Sequence, residues 1–156
     1  MSESPSKTTI SQDLGFLFLR LILGAVMIFH GAQKEPWNLD GEGMQNMVKT
    51  VETKIPVPEF IPPIVAAQAA GWSEYAGGIL LIAGLFTRFS ALFIAATMGV
   101  ASFIIHADNF SLKDGGMEYA LTLCVVAVAL IFTGPGRISF DKLFFGRSQK
   151  TSSESK

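Results

Sequence analysis

Cysteine, histidine and charge are all scarce in this sequence, and each scarcity narrows what the chain can be. The single cysteine, Cys124, sits inside an apolar block. No disulfide can therefore form within the chain, which removes the four-helix membrane enzymes that generate disulfides with quinones. There are two histidines, His30 and His106, and no haem motif or metal signature of recognised spacing, so no haem is expected. Charged residues make up 16% of the chain, against the ~25% usual for soluble proteins. Net charge is −1, which gives no reason to expect nucleic acid as a partner. A secretory signal would need a basic start and an unbroken apolar core. The opening MSESPSKTTISQD has one lysine and Arg20 interrupts the core, so the first apolar segment should be retained.

What the chain has instead is apolar blocks separated by polar connections. Residues 14–34, LGFLFLRLILGAVMIFHGAQK, reach bilayer length at ~1.5 Å per residue. Blocks at 64–86, 89–106 and 117–133 follow, the second and third joined by the very short turn at Thr87-Arg88. The fold expected is all-α, an antiparallel four-helix transmembrane bundle. Residues 1–13 and 146–156 read as disordered tails, with Ser11 or Asp13 as the first helix cap. In the outer segment 35–63, Met44, Met47, Val48 and Val51 recur at helical spacing between residues 42 and 54. That predicts a short amphipathic helix lying on the membrane surface or capping the bundle. Apolar residues interleaved with Arg137, Lys142 and Arg147 after the last span read as an interfacial anchor. Lysine and arginine are concentrated on the side holding the termini and the 87–88 turn, which orients both termini to the cytoplasm.

Few polar groups lie within the spans, and those few are informative. Arg20, Gly24, Met27 and Gly31 share one helical stripe, and Gly71, Glu74 and Gly78 another; small residues mark packing faces, so both charges should point inward. Ionised in lipid, Glu74 would be unsustainable alone, and Arg20 costs about 3 kcal/mol at depth. The expected solution is a buried Arg20–Glu74 ion pair. By the same ~1.5 Å rise, His30, His106 and Glu118 fall ~22 to 25 Å from the cytoplasmic edge, in one outer layer. Two imidazoles and a carboxylate could hold a divalent metal, relay a proton or hydrogen-bond the carbonyls of a quinone.

The stretches LRLILGAVMIFHGAQK, EYAGGILLIAGLFTRFSAL, GGMEYALTL and GPGRISFD, in that order, resemble the DoxX-like family of small membrane proteins over roughly residues 14–144. The resemblance implies a bacterial or archaeal cytoplasmic-membrane protein with a four-helix bundle. It marks Arg20, His30, Lys34, Glu74, His106, Glu118 and Asp141 as pattern positions, and adds Lys34 to the ligand or proton-site candidates. It also implies, by analogy with a few quinol-oxidising systems, an accessory or quinone-interacting subunit of a membrane redox system. Rival readings are a non-catalytic membrane scaffold recruiting soluble or membrane redox partners, and a small transporter, which would need the chain to form a homo-oligomer.

Overall fold

The structure is a computed structural model that describes residues 9–145, all helix and loop with no strand among them. Helix α1 spans Ile10–Gln33, α2 Glu42–Lys54, α3 Pro63–Ala83, α4 Thr87–Val100, α5 Glu118–Thr133 and α6 Phe140–Phe145. A π-helical turn, Ala101–Ile105, prolongs α4. Of the expected tails, residues 1–8 and 146–156 lie outside the described residues, while residues 10–13, expected in the first tail, form the first turn of α1.

Local signals explain most boundaries. Thr9 and Gln12 form a reciprocal capping box, so α1 starts at Ile10 rather than after Asp13. Asp13 is not a cap: its carboxylate accepts the Arg137 backbone N–H at 2.9 Å. Pro63 opens α3 at a position where a missing N–H costs nothing. Gly84 closes that helix in the left-handed conformation, φ 67°. Helix α4 has no side-chain cap of its own, and Asp141 supplies one from α6 by accepting the N–H groups of Phe86 (2.7 Å) and Thr87 (2.9 Å). The segment read as an interfacial anchor thus also holds the α3–α4 turn.

The four longer helices pack in the order α1, α3, α4, α5, with a lighter contact between α5 and α1. Their shared core is Leu23, Met27, Leu81, Ile94, Met98, Ala127 and Leu130. The register of α1 against α3 is set by glycine: a Cβ on Gly24 would lie 2.7 Å from the Gly78 carbonyl oxygen, and one on Gly78 the same distance from that of Gly24. Helix α2 buries Met44 and Val51 against Ala67 at the start of α3, so it caps the bundle.

The outer faces are apolar. Phe18, Ile22 and Phe29 on α1, Phe89 and Phe93 on α4, and Val125 and Phe132 on α5 are all exposed, Phe132 to 78%. Helices apolar on every side belong in lipid or in a large core. Two segments, Ile10–Gln33 and Thr87–Ile105, are long and apolar enough to cross a bilayer; Glu118–Thr133 is apolar but shorter.

Candidate functional site

Lys34 is the C-cap of α1, two residues before Pro36. Pro36 is buried against Gly71 of α3, whose missing side chain admits the ring. The Lys34 ammonium is thereby brought across to Glu74, and the two form an ion pair and hydrogen bond. The Glu74 side chain is 1% exposed and that of Lys34 22%. The ammonium answers a carboxylate that is too deeply buried to stay ionised alone.

The expected Arg20–Glu74 pair does not form. Antiparallel packing that sets Gly24 beside Gly78 leaves Arg20 level with the end of α3, far along the axis from Glu74. The arginine is buried, but it extends toward the α3–α4 turn, where Nη2 donates to the Ile138 carbonyl at 2.5 Å and the guanidinium occupies the space left by Gly84. Its head thus turns away from Glu74 toward the α3–α4 turn but stays buried, held by a backbone carbonyl and not by water.

The Lys34–Glu74 pair forms part of the wall of an open cavity of about 560 Å³ lined by α1, α2, α3, α4 and α5. That volume falls within the ~300–1,000 Å³ typical of small-molecule sites. His30 lines it from α1, with its ring 6.0 Å from that of Tyr119 on α5. His106 lines it from beyond the π turn, and its Nδ1 lies 2.9 Å from the Gly115 carbonyl oxygen. The rest is mainly apolar: alanines of α3 and α4, Met98, Leu123, and Met47, Val51 and Ile55 closing the side under α2.

Of the three groups expected to share an outer layer, His30 and His106 do line one cavity and Glu118 does not. Its Oε1 accepts the Leu112 N–H at 2.9 Å, so it orders the loop before α5. A carboxylate in a helix's first turn is stabilised there by the exposed N–H groups, and the loop offers it a closer donor than any imidazole. Among the described residues no three His, Cys, Asp or Glu side chains gather as a metal set, His30, His106 and Glu118 included. Asp141 serves the α4 cap and lies away from the cavity.

Sequence reasoning missed three parts of this site. Lys34 as the partner of Glu74 had a signal, because it falls three residues after Gly31 on the glycine stripe. The bond between the Ser73 and Thr97 hydroxyls, 2.7 Å, joins α3 to α4 and had none. Nor did the π turn, a form frequent at functional sites, which prolongs α4 up to His106.

The DoxX family pattern matches residues 15–107. An uncharacterized protein of Haemophilus influenzae is 33% identical over 136 residues, covering 86% of this chain and 85% of its own. The inner membrane protein YqjF of Escherichia coli is 28% identical over 135 residues, covering 85% and 93%. CatD of Bacillus subtilis, which is named provisionally as an oxidoreductase, is 27% identical over 135 residues, covering 86% and 90%. No solved structure matches the chain significantly. The family pattern extends over more than half of the sequence and takes in both Lys34 and Glu74, and the helices around them are apolar outside as well as in: the chain belongs to the DoxX family and is a membrane protein.

Proposed function

We propose that the chain crosses the cytoplasmic membrane four times, through α1, α3, α4 with its π turn, and α5, with both termini in the cytoplasm. Helix α2 then covers the outer end. The lysine and arginine bias supports this orientation. A cysteine introduced at Asn46 should react with an impermeant maleimide in intact cells, and one at Lys142 only after lysis. The opposite labelling pattern would refute it.

Within that topology the cavity holds the head group of a quinone, and the protein acts as an accessory subunit of a membrane redox system. The observation that carries this reading is the composition of the cavity wall, apolar over most of its area with the Lys34–Glu74 pair and two imidazoles at one side. The pair cancels its own charge, so a charged ligand would leave an uncompensated charge in a poorly solvated space, whereas a neutral head group would not. A quinone presents carbonyl acceptors to Lys34 and to an imidazole N–H, and its reduced form presents hydroxyls to Glu74 or an imidazole nitrogen. His30 and His106 can also carry a proton between the head group and the outer loops. The name of the Bacillus subtilis relative favours redox chemistry over a purely structural role.

Equilibrium binding of duroquinone to the purified protein in nanodiscs tests the reading. Saturable binding is expected for the natural sequence, with a loss of about tenfold or more, some 1.4 kcal/mol, when Lys34→Met and Glu74→Leu are combined. The doubly changed protein keeps the site free of an unpaired charge, so its folding can be checked independently by circular dichroism. No saturable binding by the natural sequence would overturn the head-group reading.

A further inference from the structure

We infer that the cavity's ligand is a long-tailed membrane lipid that enters sideways, through a window between α3 and α4, and leaves its chain lying in that window. This rests on the head-group reading and adds the route and the tail. Four observations define the window. At its lower edge α3 and α4 are in contact: a Cβ on Gly77 would lie 3.3 Å from Ile94, and one turn further on the Ser73 and Thr97 hydroxyls bond at 2.7 Å. At its upper edge the Lys54 ammonium, at the end of α2, lies 3.4 Å from the Ile105 carbonyl oxygen in the π turn.

Around and above the Ser73–Thr97 tie small side chains of both helices line the cavity, Ala66, Ala69 and Ala70 on α3 and Ala96 and Ala101 on α4 and its π turn. Ala69 on α3 and Ala96 on α4 line the cavity and are exposed, and they share helix faces with the exposed Val65 and Trp72 of α3 and Phe89 and Phe93 of α4, so the cavity opens toward that outer face. Ala96 lies nine residues along from Thr87, ~14 Å by the helical rise. With α4 crossing a hydrocarbon layer ~30 Å thick, that is near its middle. What lies against the window is therefore lipid chains, and a water-soluble ligand would have to cross hydrocarbon to use it. An amphiphile already in the bilayer would not: its head would reach Lys34 and Glu74 while its tail stayed among neighbouring lipids.

The test fills the window without touching the polar wall. Ala69→Phe and Ala96→Phe place a ring at positions that already face outward, so folding should be retained, and Ala129→Phe on the outer face of α5 is the control. Binding is measured in nanodiscs with duroquinone, which has no tail, and with a long polyprenyl benzoquinone. The window changes should weaken the polyprenyl quinone by about tenfold more than they weaken duroquinone, and the control should alter neither. Equal effects on the two quinones, or no effect on either, would overturn the window. A second readout needs no quinone: a long-chain alcohol with a photoactivatable diazirine beside its neutral hydroxyl head should label Met98, inside the cavity, in the natural protein and not in the Ala96→Phe variant. Duroquinone binding without Met98 labelling would reject the window and keep the head-group site. Met98 labelling without duroquinone binding would reject the head group and keep the window.

Discussion

Lys34→Met is expected to destabilise the protein by about 3–5 kcal/mol, the usual consequence of stranding one member of a buried ion pair. The two partners should not be equivalent. Without Lys34 the Glu74 carboxylate, 1% exposed, has no solvent to turn toward and must take up a proton or leave its site. Without Glu74 the ammonium of Lys34, 22% exposed at the end of α1, can swing toward the outer surface. Glu74→Leu should therefore cost visibly less than Lys34→Met, and the two changes together should restore most of the stability, because an apolar pair of similar volume leaves nothing unsatisfied. Thermal unfolding of the three variants in one detergent, with accumulation in the membrane as a second measure, checks the order. A Lys34→Met protein as stable as the natural one would mean that the pair contributes nothing.

The second large effect concerns the contact of α1 with α3. Alanine in a helix is ordinarily better than glycine by about 1 kcal/mol, since it restricts the unfolded backbone. At Gly15, where an added Cβ meets nothing within 4 Å, that advantage should appear, and Gly15→Ala should be stabilising. At Gly24 and Gly78 the sign should reverse. The new carbon would lie 2.7 Å from a carbonyl oxygen of the facing backbone, which no rotamer change relieves. Overpacking of this kind costs about 1–3 kcal/mol and exceeds the propensity gain. Gly24→Leu or Gly78→Leu would have to separate the helices outright, and should abolish accumulation. The register they hold also carries Lys34 to Glu74, so Gly78→Ala should weaken duroquinone binding as well as stability. Equal gains from alanine at Gly15 and Gly78 would show that the helices do not meet as described.

Much of the architecture could be read from residue patterns. The Met44, Met47, Val48, Val51 spacing marks α2 where it is found, Glu42–Lys54. The glycine stripes identify the faces on which α1 and α3 meet. The Thr9 and Gln12 capping box is present in the sequence, but Ser11 and Asp13 are equally good caps by residue type, and the partner that engages Asp13, the Arg137 backbone N–H, lies beyond the reach of local reasoning. The same holds for Asp141, a favourable residue for its own helix whose main work is to cap another.

Which polar groups lie inside the helices was determined by the sequence alone. Helical period is a property of the chain, and it puts Arg20 and Glu74 on glycine faces and His30, His106 and Lys34 near helix ends whatever the neighbours are. Which of them meet was decided only by tertiary structure, because partnership depends on how far one helix slides along another. Glycine contacts, Gly24 on Gly78 and Gly31 on Tyr75, set that displacement; they give Glu74 to Lys34, send Arg20 to the Ile138 carbonyl, and with the α2 cap leave an apolar space beside the pair.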